Sequence, residues 1–338
     1  MSNVPPESGI RVPAEAMRDF VQALFLKTGM LAEDADLMSR ILVDTDLRGV
    51  FSHGTQAAAG YVRRLLDGRV NPRPRITIAR ETVTTRSLDG DGGMGHMPAH
   101  QAMQWVVKRA REHGMAAATT RNHFHFGAAG TYSRLALAHA CIGIATSSHR
   151  YALRSDEPRT VMAANGKSPL SIAIPAGAQP PLVLDMATNL LPWDDALFAK
   201  YPFAYFRSLG LAATMQALGG ILAGIYRPEL APPRSSWESN QGAFVVAIDV
   251  SRFISVVEFK AEMDRYIGDA RSLRALSGQE HAELAGGLEW RHERDYSRQG
   301  IPIGERHRAE LEAVAAEVGI EAPFAGFEHT RFGTLCPE

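Results

Sequence analysis

The chain has 338 residues, beyond the size at which one hydrophobic core usually stops growing, so two subdomains are expected. Its 45% hydrophobic and 22% charged residues are ordinary for a globular protein, and a net charge of −1 with scattered Lys and Arg argues against nucleic-acid binding. No apolar run approaches the roughly 18 residues that span a bilayer, no apolar signal core stands among the first residues, and Cys141 and Cys336 form neither metal spacing nor a disulfide framework, so a reducing cytoplasm is the expected setting.

In chain order, residues 13–27 carry apolar groups at helical spacing, with Phe20, Ala23 and Leu24 on one side, and Thr28-Gly29 stops them. Residues 33–46 form a second predicted helix, ended by Gly49, which puts Ser52 and His53 just beyond its C-terminus. Residues 61–66 are a third, closed by Asp67-Gly68, and Asn71-Pro72-Arg73-Pro74 breaks regular structure. Residues 76–87 alternate as one strand, 89–93 turn, and 99–113 are a helix ended by Gly114. Strand-like runs follow at 115–120, 142–147, 170–174, 182–186 and 244–249, alternating with helices at 132–140, 209–225 and 257–267. Residues 305–318 form a C-terminal helix. This alternation points to an α/β fold. No Gly-x-Gly-x-x-Gly follows a predicted strand, so the Rossmann fingerprint is missing.

Two stretches hold most of the chemistry. Asp46-Leu47-Arg48-Gly49-Val50-Phe51-Ser52-His53-Gly54 places an imidazole, which titrates near neutral pH, beside a hydroxyl. As a bare tripeptide, Ser-His-Gly is more often a helix-ending turn with a solvated His. Arg48 has the donors to clamp a carboxylate in two parallel hydrogen bonds, or it simply complements the helix dipole. Downstream, Asn122-His123-Phe124-His125-Phe126-Gly127 sets a second imidazole at a strand-to-helix junction. His123 reads as a packed or surface residue, and Gly127 and Gly130 permit close backbone approach or simple turns. Asp185, in Leu182-Val183-Leu184-Asp185-Met186-Ala187-Thr188, either orients an imidazole or caps a turn. No histidine pair has metal spacing, and no nucleophile elbow is present.

These three motifs, in this order, resemble the malate/L-lactate dehydrogenase family, the L-sulfolactate dehydrogenase-like oxidoreductases that use NAD or NADP without a Rossmann fold. The resemblance implies a mostly antiparallel nucleotide-binding sheet in residues 89–289. Residues 1–88 and 290–338 would form a helical substrate and dimerisation domain. It further implies a homodimer acting on a small carboxylate, with His53, His125 and Asp185 catalytic and Arg48 and Ser52 holding the substrate. The implied cofactor contacts are Gly127, Lys167, Ser168, Pro169, Arg207, Gly304 and Glu305. Four departures fall in that cofactor set. Gly-Thr-Asn-Pro appears as Gly166-Lys167-Ser168-Pro169, and the Gly-rich segment after Asp-Met-Ala-Thr is shortened to residues 189–206. The Lys-Gly pair is replaced by Arg207-Ser208, and Pro-Gly-Glu by Ile303-Gly304-Glu305. Lys and Arg meet a phosphate with different geometry. The expected reaction is hydride transfer between NAD(P)(H) and a 2-oxo, 2-hydroxy or cyclic 2-imino acid. The alternative is a cofactor-independent lyase, isomerase or cyclase of a specialised pathway that reuses the two histidines.

Overall fold

The computed structural model describes residues 3–153, 160–164, 166, 168–191, 193–278 and 280–333. The chain divides into two compact units, one of residues 1–73 and 287–338, the other of residues 74–286. The first boundary falls at 73 rather than 88 because residues 77–89 are strands of the second unit's sheet.

The first unit opens with β1 (Ile10–Val12), α1 (Ala14–Lys27), α2 (Ala32–Leu47) and α3 (Ala58–Leu66). Helix α1 buries Met17, Phe20, Val21, Leu24 and Phe25, which takes in Phe20 and Leu24 of the expected side but leaves Ala23 half-buried, and it bears Glu15 in its first turn and Lys27 in its last, as the helix dipole favours.

Helix α2 ends in a complete Schellman motif. The Gly49 N–H donates to the Asp46 carbonyl at 2.8 Å and the Val50 N–H to the Thr45 carbonyl at 3.1 Å. Gly49 has φ +75°, and a Cβ there would overlap the His292 ring.

The chain then enters the second unit. In order come β2 (Thr77–Glu81), β3 (Thr85–Asp89), α4 (His96–His113), β4 (Met115–His123), α5 (Gly130–Ser133) and β5 (Cys141–His149). After these come β6 (Pro169–Ile174), β7 (Leu182–Ala187), α6 (Asp195–Lys200), α7 (Pro202–Gln216), β8 (Gln241–Asp249) and α8 (Val256–Ser272). Among the described residues the strands form one seven-stranded sheet, ordered β2-β3-β4-β8-β5-β6-β7. Every neighbouring pair is antiparallel except β3 with β4. The fold is thus mixed α/β with a mostly antiparallel sheet. Helix α4 lies on it through Ala99, Ala102, Met103, Val106, Val107 and Ala110, facing Ala116, Ala118, Ala145, Ala243, Val245 and Ala247. Alanine on both surfaces lets helix and sheet approach closely.

Three predicted elements change form here. The single strand at 76–87 is a hairpin, turned where the Thr82 N–H donates to the Thr85 carbonyl at 2.8 Å and the two threonine hydroxyls lie 2.7 Å apart. The helix at 132–140 is one α turn followed by a 3₁₀ stretch, Arg134–His139, ended by left-handed Ala140. It packs so tightly on β5 that a Cβ at Gly143 would overlap the Ser133 carbonyl. The helix at 209–225 starts earlier, at Pro202, and widens to π turns over Ala217–Leu222, where Gly219 lies against the Ser147 backbone.

The chain returns to the first unit with α9 (Gly287–Gln299), β9 (Ile301–Ile303) and α10 (Glu305–Glu317). Strands β1 and β9 pair antiparallel, Ile10 opposite Ile303 and Val12 opposite Ile301. Phe324 meets Phe20 edge-on at 5.3 Å, adding to the core around α1. Among the described residues no helix is long and apolar enough to cross a membrane.

Gly49→Ala should lower unfolding free energy by about 1 kcal/mol or more, the cost of a side chain in the left-handed region. Denaturant unfolding with an unchanged midpoint would contradict the strain assigned to this position.

Candidate functional site

In the first unit the Schellman exit turns the chain into a 3₁₀ turn, Phe51–His53. Phe51 is buried and packs 6.3 Å from the Tyr296 ring, which anchors the turn against α9. Ser52 Oγ lies 2.9 Å from His53 Nδ1, and the Ser52 N–H donates to Asn3 Oδ1 at 3.1 Å. His53 is half-buried, and burial holds its pKa below the usual imidazole value. Arg48 sits at the α2 C-terminus with its side chain 17% exposed, and its guanidinium meets Glu293 at 3.5 Å. The structure therefore brings Arg48, Ser52 and His53 together on one short segment against α9.

Beneath this segment its first residue, Asp46, joins a buried polar chain whose other members, Thr55 and His307, no motif includes. Asp46, fully buried, accepts the Thr55 N–H at 3.1 Å and the Thr55 hydroxyl at 2.5 Å, both on Oδ2. The same hydroxyl lies 3.0 Å from His307 Nε2. Burial raises the Asp46 pKa to about 7 and lowers that of His307 to about 4. Thr55 and His307 are 252 residues apart, so no local spacing could have joined them. Gly304, Glu305 and His307 line a cleft of about 500 Å³ with Phe51, Gln56 and Pro302. Glu305 is paired with Arg331 at 2.5 Å.

In the second unit, β4 is irregular between Thr120 and His123, with Asn122 left-handed at φ 53°. Asn122 Nδ2 donates to Asp89 Oδ1 at 2.7 Å, and its Oδ1 accepts from Ser239 Oγ at 2.7 Å, which fixes the bend. His123 is a packed histidine. Fully buried, it lies 2.9 Å from Thr120 Oγ1 and 2.7 Å from the Phe124 carbonyl, and burial lowers its pKa to about 4. His125 is half-buried and meets the His96 ring edge-on at 6.5 Å. Gly127, at φ +80°, lies against His96 Nε2, a neighbour that no motif signals. Asp185 accepts the Gly130 N–H at 2.9 Å, so its carboxylate caps α5.

The remaining cofactor positions are held by hydroxyl bridges. Ser168 is buried, its Oγ 2.5 Å from Ser148 Oγ and its carbonyl accepting the Thr188 N–H at 3.0 Å and hydroxyl at 2.6 Å. The Pro169 carbonyl accepts from Thr146 Oγ1 at 2.7 Å. Ser208, in place of a glycine, donates to the Thr188 carbonyl at 2.7 Å and accepts the Leu190 N–H at 3.0 Å. Arg207 beside it is exposed and, among the described residues, has no hydrogen-bond or ion-pair partner. An exposed guanidinium beside the anchored Ser208 of α7 fits a phosphate in its donor chemistry. Lys167 lies outside the described residues.

Comparison with known proteins matches this architecture. A sequence profile described as malate/L-lactate dehydrogenase matches residues 12–200 and 193–312. The malate dehydrogenase of Pyrococcus horikoshii is 29% identical over 354 aligned residues, covering 93% of this chain and 97% of its own. The L-sulfolactate dehydrogenase of Methanocaldococcus jannaschii is 28% identical over 327, covering 87% and 93%. A solved structure of the Pyrococcus horikoshii OT3 malate dehydrogenase superposes with a TM-score of 0.83, covering 94% of this chain and 98% of that one. With the fold, the motifs and the profile agreeing over most of its length, the chain belongs to the malate/L-lactate dehydrogenase family.

Proposed function

We propose that the protein is an oxidoreductase that passes a hydride between NAD or NADP and a small 2-oxo, 2-hydroxy or cyclic 2-imino acid. Family membership supports the reaction class, and the relatives named for malate and sulfolactate act on 2-hydroxy acids. The observation that carries the reading is the Ser52–His53 contact at 2.9 Å. Ser52 engages Nδ1, so Nε2 is the nitrogen that exchanges the proton with the substrate oxygen or nitrogen. A lowered pKa keeps the ring neutral at pH 7, the form that accepts a proton when a 2-hydroxy acid is oxidised. Arg48 would grip the substrate carboxylate in exchange for its long contact with Glu293. His125 and Asp185 would position the reacting groups, Asp185 through the Gly130 turn that it caps.

When bound, the dinucleotide would supply or accept the hydride. Arg207 would be its main phosphate contact, with Gly127, Ser168 and Pro169 shaping the backbone around it. We also infer a cytoplasmic homodimer, from the family and from the helical unit built by both chain segments. Light scattering should give twice the chain mass at micromolar concentration, and a fully active monomer would count against the dimer.

His53→Ala should lower turnover by roughly 10²-fold or more while the protein stays folded. In the wild type, kcat/KM for oxidation should be level above about pH 6.5, the ordinary imidazole value, and fall as the pH drops through the lower pKa of His53. Near-normal turnover in the folded variant, or a flat profile down to pH 4, would remove His53 from the reaction.

Arg207→Ala should weaken dinucleotide binding by about tenfold in calorimetry, the loss of about 1.4 kcal/mol that a charge-assisted hydrogen bond supplies. Tight binding unaffected by the change would refute the placement of the phosphate. No detectable wild-type binding at millimolar NADH or NADPH would favour the cofactor-independent reading.

A further inference from the structure

The turn that bears Ser52 and His53 is closed at both ends by one residue. At its start the Asp46 carbonyl accepts the Gly49 N–H at 2.8 Å. At its end the Asp46 carboxylate accepts both the N–H and the hydroxyl of Thr55. A hydroxyl has one proton to give. With Asp46 ionised and that proton on its carboxylate, Thr55 Oγ1 accepts from His307 Nε2, and the chain then runs from His307 through Thr55 to Asp46. Burial keeps the His307 ring neutral, and its Nε2–H tautomer is the donor in this chain.

The other carboxylate oxygen, Oδ1, is buried without a hydrogen-bond partner among the described residues and lies directly under Gly54, where a Cβ would overlap it. A half-satisfied buried carboxyl costs free energy that an apolar residue would avoid. Such a group is retained where a specific geometry matters more than stability. Here the geometry that Asp46 dictates is that of residues 49–55, and the glycine at 54 lets the turn lie flat on it.

We propose that Asp46, oriented by Thr55 and His307, is a positioning residue that holds the Ser52–His53 pair in the arrangement for proton transfer. This inference rests on His53 being the proton carrier. It adds no group that touches the substrate. It assigns the buried chain the task of keeping the imidazole against Ser52 and partly out of water.

The test reads His53 directly. In protein labelled with ¹³C-histidine, the His53 ring signal is identified by its loss in His53→Ala and titrated with pH. In the wild type it should titrate below the ordinary imidazole value. In Thr55→Ala the loosened turn should hydrate the ring and move its pKa up toward that value, and Thr55→Ser, which restores the hydroxyl, should return it. With oxaloacetate and NADH as probes, kcat of Thr55→Ala should fall about tenfold with KM within about threefold, the pattern of an interaction needed in the transition state. A purely structural role would lower the unfolding midpoint and leave the titration of the folded protein unchanged. Should Thr55→Ala not fold, His307→Leu, which removes the donor behind Thr55, carries the same expectation. An unchanged His53 titration in whichever variant folds overturns the proposal. Full activity of His53→Ala would instead overturn the assignment of His53 while leaving the result on the turn in place.

Discussion

A helix stops only where its last carbonyls find donors, and in this protein the stop at Gly49 dictates the course of the chain through the site. The left-handed residue lets the chain double back, so the Gly49 and Val50 amides satisfy the final turn of α2. That reversal aims Phe51 into the core and sets Ser52 and His53 on a tight 3₁₀ turn. Any other residue at 49 would bear about 1–2 kcal/mol of backbone strain and would collide with His292. The His292 ring, stacked on Tyr296 at 5.0 Å, is thus the wall that the turn is built against. Arg48, at the last helical turn, acquires its place from the same geometry.

The second unit relies on small side chains in place of bulky ones. Alanines on α4 and on the three central strands permit close contact over a wide area, where many weak dispersion contacts accumulate. Toward the β6–β7 edge the interior changes character and hydroxyls take over. Ser133 meets Ser171 at 2.7 Å, Ser148 meets Ser168, and Ser208 ties the middle of α7 to Thr188 and Leu190. These bridges hold the backbone where the family pattern has Thr-Asn and Lys-Gly. The exchange of Lys-Gly for Arg207-Ser208 therefore combines a new anchor with a guanidinium in place of an ammonium.

Much of this is legible from sequence where the signal is local. Helices α1, α2 and α4 show apolar stripes ended by glycine, and Gly49 marks its own conformation. The strands of the central sheet stand out as short apolar runs. The hairpin at 77–89 is not legible, because Thr82-Val83-Thr84-Thr85 is rich in strand-favouring residues and holds no glycine or proline. Helix α9 escapes for the opposite reason. Gly287–Gln299 is dominated by charge, and among its residues Gly287 and Tyr296 are the buried ones, so no stripe exists to read. Arg48, Ser52 and His53 in the first unit and His125 and Asp185 in the second are visible as motif members, and His123 is packed, as one of its two expected states. The Asp46–Thr55–His307 chain is invisible to spacing, since it exists only once α10 lies beside the turn. The capping contact of Asp185 with Gly130 likewise needs the fold, being 55 residues apart in sequence.

The pairing of β1 with β9 has a consequence for how the molecule is made. Ile10–Val12 find their strand partners in Ile301–Ile303, and the Gly9 amide finds the Phe332 carbonyl at 3.1 Å. During synthesis the sheet of residues 74–286 has all its strands as soon as β8 emerges, and domains generally fold as units once complete. The first 73 residues have no such option. Their apolar faces on α1 and α2 stay without α9, α10 and Phe324 until residues 287–324 have followed. The segment that bears His53 is thus translated before the sheet of residues 74–286 and finds its packing partners only after that sheet is complete.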